Sequence, residues 1–194
     1  MIIKKVKAFS GYIFADNENI PLEHRMFLSA LFIGILFGVF GSISNLLLTS
    51  SIEAILLPIT VSLILIVIFY YVRSKGIIKP FLTPVIIFAI IIVSIIWVFN
   101  GGINGSNIMS AFLILILGLI IAPQNNKIFI FIFFLATYIF ILLLQLYRPD
   151  LFVGFSSEKA RWLDHLTTVI LCSFFIFYII RFIHQNYTIE RLRA

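Results

Sequence analysis

Six stretches of this sequence, 27–48, 54–72, 80–99, 103–122, 128–146 and 165–183, are apolar for about 20 residues each and carry Asp, Glu, Lys, Arg or His only at their ends, if at all. A helix of that length rises about 30 Å, the thickness of the hydrocarbon layer of a bilayer, and inside lipid its backbone must satisfy itself. The pattern therefore predicts an all-α integral membrane fold with six transmembrane helices. Composition excludes a soluble helical domain, because 62% of residues are hydrophobic and 11% charged, against about 45–50% and about 25% in soluble proteins. Six spans occupy most of the 194 residues. The expected organisation is an amino-terminal cytoplasmic or interfacial segment at 1–26, a six-helix membrane domain at 27–183 and the start of an exiting helix at 184–194.

Charge sets the orientation. Lys4, Lys5, Lys7, Arg25, Arg73, Lys75, Lys79, Lys127, Arg181, Arg191 and Arg193 fall on one side of the alternating spans, 11 of the 14 basic residues, and only Arg148, Lys159 and Arg161 fall on the other. Lys and Arg mark the cytoplasmic side of a multi-span protein, so both termini are expected inside and the connections around 100–107 and 147–164 outside. The net charge of +6 then reads as topology rather than as a nucleic-acid footprint, and no nucleic-acid partner is expected. A single cysteine, Cys172, excludes an intrachain disulfide and a cysteine-based metal site. Asp16, Glu18, Glu23 and Arg25 interrupt the chain before the first apolar run, so the amino terminus is expected to be retained.

Polar chemistry concentrates in two outer connections. Trp97-Val-Phe-Asn100-Gly101-Gly102-Ile-Asn104-Gly105-Ser106-Asn107 joins the third and fourth spans, and its Gly and Asn residues describe a compact turn able to present backbone N–H groups and carboxamides. With the 147–164 loop it supplies the candidate ligand-binding residues Trp97, Asn100, Asn104, Arg148, Asp150, Glu158, Arg161 and Asp164. The competing reading is a tight reversal with ordinary solvated loop charges. His24, His165 and His184 are scattered without spaced partners, so neither a catalytic nor a metal site is expected. In the first span Gly34, Gly38 and Gly41 suit close helix packing. Beyond the last span Phe182, Gln185, Ile189 and Leu192 fall at a/d spacing, the start of a coiled coil or a short amphipathic helix on the inner leaflet.

Four segments carry a family resemblance: Pro21-Leu-Glu-His-Arg25 before the first span, Trp97 to Gly105 after the third, Ser157-Glu-Lys-Ala-Arg-Trp-Leu-Asp164 before the sixth, and Tyr187-Thr-Ile-Glu-Arg-Leu192 after it. Together they resemble the six-span amino-terminal sensor region of bacterial sensor histidine kinases, over nearly the whole chain. The resemblance implies a homodimer in the bacterial inner (cytoplasmic) membrane; it does not supply the small ligand expected at the outer face, and similar membrane regions also precede other output domains, including nucleotide cyclases. Its last span would lead through a signalling helix to phosphoacceptor and ATP-binding kinase domains, which use ATP and Mg and have a response regulator as partner. Neither domain lies in these 194 residues, so no cofactor is expected in this segment, and neither His165 nor His184 has the family's phosphoacceptor context. The rival from another class is a small transporter or channel-like protein. The spans have no ionisable residue deep inside and no visible inverted repeat, which argues against ion-coupled pumping.

Overall fold

The computed structural model describes residues 22–48, 52–75, 79–155 and 157–193; most of the segment expected over 1–26 lies outside them. Six α-helices follow in order: α1 (Leu22–Leu48), α2 (Ile52–Lys75), α3 (Lys79–Phe99), α4 (Asn107–Ile121), α5 (Lys127–Tyr147) and α6 (Glu158–Arg193). Single 3-10 turns at Gly102–Asn104, Gln124–Asn126 and Pro149–Leu151 sit in the connections. The described residues contain no strand. Five of the helices, all but α4, are long and apolar enough to cross a membrane. Large apolar side chains such as Leu47, Val67, Phe129, Leu146 and Phe177 cover their outer faces. An exposed apolar surface of this extent belongs in lipid, and the chain is a multi-pass membrane protein.

Two boundaries differ from those read in the sequence. The fourth apolar stretch, expected to be helical over 103–122, begins its helix at Asn107, because residues 102–104 are wound into a 3-10 turn instead. α4 thus has 15 residues, about 22 Å at 1.5 Å per residue, short of the roughly 30 Å hydrocarbon layer. The sixth helix begins at Glu158 rather than near residue 165. Ser157 Oγ accepts the Ala160 N–H at 3.1 Å, an N-cap followed by acidic Glu158 in the first turn, where an anion opposes the helix dipole.

The shortest helix is also the central one. Ala111 and Leu115 of α4 pack with Ile90, Trp97, Phe134 and Tyr138 of α3 and α5. Ile121 joins Leu28, Phe69 and Leu82 of α1, α2 and α3, and Leu113 joins Ile33, Cys172 and Phe175 of α1 and α6. Apolar burial alone does not hold helices together in lipid, so close backbone approach and interhelical hydrogen bonds matter more. A Cβ at Gly34 would lie 2.9 Å from Leu65 Cδ1, and one at Gly38 would meet Ser62 Oγ and lie 2.8 Å from the Pro58 carbonyl, so α1 seats on α2 at both. Gly41, expected in the same contact, has nothing within 4 Å of a Cβ and instead borders a cavity. Asn45 Nδ2 donates to the Ala54 carbonyl at 2.8 Å, closing the α1–α2 hairpin.

Candidate functional site

At one end of the bundle the chain reverses between α3 and α4 through Gly101 and Gly102, whose φ values are 82° and 58°, a region closed to most L side chains. The turn closes on itself, Asn104 N–H donating to the Gly101 carbonyl at 3.1 Å and Gly105 N–H to the Gly102 carbonyl at 3.0 Å. It is also strapped from outside. Gly101 N–H donates to the Val153 carbonyl at 2.9 Å, Val153 N–H donates to the Val98 carbonyl at 3.0 Å, and Ile103 N–H donates to Gln145 Oε1 at 2.9 Å. Asn100, Gly101 and Gly102 are buried, so protein rather than water must satisfy their backbone.

α6 reaches the same turn from the opposite wall. Ser106 N–H donates to Asp164 Oδ2 at 3.1 Å, and Ser106 Oγ lies 2.7 Å from Thr168 Oγ1. Ser106 occupies the cap position of α4 without capping through its own side chain; the carboxylate from α6 supplies the acceptor. An anion is favoured there by the helix dipole as well as by the hydrogen bond. Asp164 is 4% exposed, and no cation pairs with it among the described residues.

Between α1, α2, α3, α4 and α6 lies a cavity of about 200 Å³. Leu65, Val93, Ile114 and Leu117 are among its apolar walls, while Asn45, Asn100, Asn107, Ser110 and Asp164 gather at its polar end. Asn100 is 5% and Asn107 7% exposed, yet Asn100 Oδ1 and Asn107 Nδ2 have no hydrogen-bond partner. An unpaired buried polar atom costs about 1–3 kcal/mol. Ser110 Oγ, on a residue 5% exposed, is unpaired as well, so an acceptor, a donor and a hydroxyl are left unmet at the polar end of the cavity.

The residues expected to bind ligand separate into three groups. Asn100 and Asp164 line the cavity. Trp97 is 0% exposed and stacks on Tyr138 with ring centroids 4.9 Å apart, so it is a packing residue rather than an interfacial anchor. Asn104, Arg148, Asp150, Glu158 and Arg161 lie on or near the surface. Arg148 Nη2 pairs with Asp150 Oδ2 at 2.8 Å and Arg161 Nη2 with Glu158 Oε1 at 3.2 Å, which partners these charges with each other. The hydrogen bond from Arg148 holds the Asp150 carboxyl below its ordinary value. Reading the sequence missed Asn45, Asn107, Ser110 and Thr168 as site residues. The signal for Thr168 was present: Ala160, Asp164, Thr168, Cys172, Phe175 and Ile179 form the buried stripe of α6 at helical spacing. Of the a/d residues Phe182, Gln185, Ile189 and Leu192, the backbone is helical, and their side chains lie outside the described part. No protein-family model, curated protein sequence or solved structure matches the chain.

Proposed function

We propose that this chain is the transmembrane input module of a homodimeric sensor, of the kind that governs a histidine kinase in a bacterial inner membrane. All six helices cross, and both termini face the cytoplasm. The 11-to-3 division of basic residues supports that orientation. The path of the chain supports the sixth crossing: α3 ends at the glycine-rich turn, and α5 starts from the other end, where Asn126 Nδ2 donates to Thr83 Oγ1 at 2.7 Å. In this reading the short α4 spans between them.

The observation that carries the reading is α6. It runs unbroken for 36 residues, Glu158–Arg193, beyond the apolar window that ends at Arg181, and near its start Asp164 and Thr168 grip the α4 cap beside the cavity. Thirty-six residues extend about 54 Å, some 24 Å more than the hydrocarbon layer. In this reading one continuous helix joins the polar cavity to the cytoplasm. A ligand that favours one packing of the Ser106–Asp164–Thr168 junction shifts the equilibrium by its difference in affinity for the two packings, and α6 transmits the shift.

The test is a change of helical phase. With residues 1–194 fused to a cytoplasmic histidine kinase core, one residue inserted after Asn186 rotates everything beyond it by about 100°, whereas seven nearly restore register. The expected result is a several-fold change in autophosphorylation for the single insertion and near-parental activity for the seven. Equal activity in both would make the tail a loose tether and favour the transporter reading.

A further inference from the structure

The cavity specifies its occupant more narrowly than the sensor reading requires. We infer that it binds a small neutral amphiphile, a medium-chain alcohol or amide, with its polar group at Asn100 and Asn107 and its chain along Leu65, Ile114 and Leu117. Size comes first. A cavity of about 150 Å³ lined by aliphatic and aromatic side chains stays dry and accepts benzene, so the 200 Å³ here takes about eight non-hydrogen atoms on the same scale. That is below the roughly 300–1,000 Å³ of sites for drug-sized ligands.

The polar end sets the head group. Asn100 Oδ1 needs a donor and Asn107 Nδ2 needs an acceptor. A hydroxyl or a primary amide supplies both functions from one group. A carboxylate supplies only acceptors and would face the buried carboxylate of Asp164, which lines the same cavity, so like charges would meet in a low dielectric. An ammonium would be drawn to Asp164, but it supplies only donors and would leave Asn107 Nδ2 bare, and the octylamine arm of the test below decides between the two. A plain alkane leaves both atoms unmet. Entry from the bilayer suits such molecules, since they partition into lipid before they bind.

The inference deepens the sensor reading, resting on the cavity as the input site, but binding and signalling fail separately. In phosphatidylcholine vesicles containing the full chain, a diazirine analogue of 1-octanol is photolysed and its adducts are mapped by mass spectrometry. Adducts are expected on the cavity-facing parts of α4 and α6, around Ser110–Ile114 and Thr168–Leu171. 1-Octanol should compete at least about tenfold better than octane or octanoate at neutral pH, the scale of one or two well-formed hydrogen bonds. Asn107→Asp, which replaces the donor at constant size, should lower adduct yield several-fold; the competition series on the unmodified protein stands if that variant does not fold. Equal competition by octane, or adducts spread over lipid-facing positions such as Phe129 and Ile132, would overturn the site. Octylamine outcompeting 1-octanol would overturn the neutral head group. Binding as expected with no change in kinase output in the fused protein would leave the site standing and count against the sensor.

Discussion

The two ends of the bundle are held together in different ways. At the end far from the glycine-rich turn, Phe27, Leu28, Leu31, Phe69, Val72, Leu82 and Ile121 interlock around the apolar part of the cavity, and Gly118 lets α4 come so close to α3 that a Cβ would lie 2.8 Å from Ile86 Cγ2. At the polar end α4 meets α6 through Ser106, Asp164 and Thr168, and the turn before it hangs on Gln145 and Val153. Lipid is as apolar as the side chains, so the apolar end is held by fit, and fit has one solution. The polar end is held by a few directional bonds, and such bonds can be exchanged for others. The comparison puts tight packing at the end around Phe27 and Ile121 and exchangeable hydrogen bonds at the Asn100 end.

Overpacking provides the largest expected difference. Gly118→Leu should cost about 3 kcal/mol, the upper part of the usual range for added volume in a packed core. Gly41→Ala, which meets nothing within 4 Å, should be neutral or gain about 0.5–1 kcal/mol from the helix preference of Ala over Gly. Thermal unfolding in detergent measures both, and similar losses would mean that the two ends are packed alike. Hydrogen-bond deletion comes next. Asp164→Ala leaves the buried Ser106 N–H without its acceptor and should cost about 2 kcal/mol, while Asn126→Ala, on the partly buried bond to Thr83, should cost less than about 1 kcal/mol. Equal costs would remove the polar end's special dependence on α6.

The smallest effect is expected at the surface pair. Arg148 lowers the folded pKa of Asp150 from its ordinary 3.8, so the stability from this pair is present above pH 3.8 and disappears as pH falls through the lower folded value. Both groups are fully exposed, and exposed ion pairs are screened by water and salt. Melting curves from pH 7 to pH 3 should show Asp150→Asn indistinguishable from the parent at neutral pH. A neutral-pH loss as large as that of Asp164→Ala would show that the outer loop, not the α4–α6 junction, holds this end.

The helices were legible in the sequence because the bilayer imposes one length and one polarity on each of them, and no tertiary knowledge is needed to read that. The glycine-rich turn was legible too, since Gly101 and Gly102 take the positive φ that their residue type permits. The roles within the turn were not. Trp97 carries the sequence signature of an interfacial anchor, yet its depth depends on Tyr138, which is far away in the chain. Asp164 reads as a loop charge if α6 begins at residue 165 and as a buried cap acceptor once it begins at Glu158. Ser157 and Glu158 held that signal locally, but the partner of Asp164 is Ser106, 58 residues away. Ser110 was hidden for the same reason, because nothing local says whether a polar residue early in an apolar span faces lipid, a neighbouring helix or a cavity.

The central claim is that the grip of α6 on the α4 cap sets the position of the cytoplasmic end of α6 in a dimer. It is tested most directly by double electron–electron resonance between nitroxides at Ile189→Cys in a Cys172→Ser background, with the full chain in vesicles. A dimer gives one defined inter-label distance distribution, and Asp164→Ala, by releasing Ser106, should shift or broaden it. No dipolar signal, or distributions that superimpose with and without Asp164, would contradict the claim.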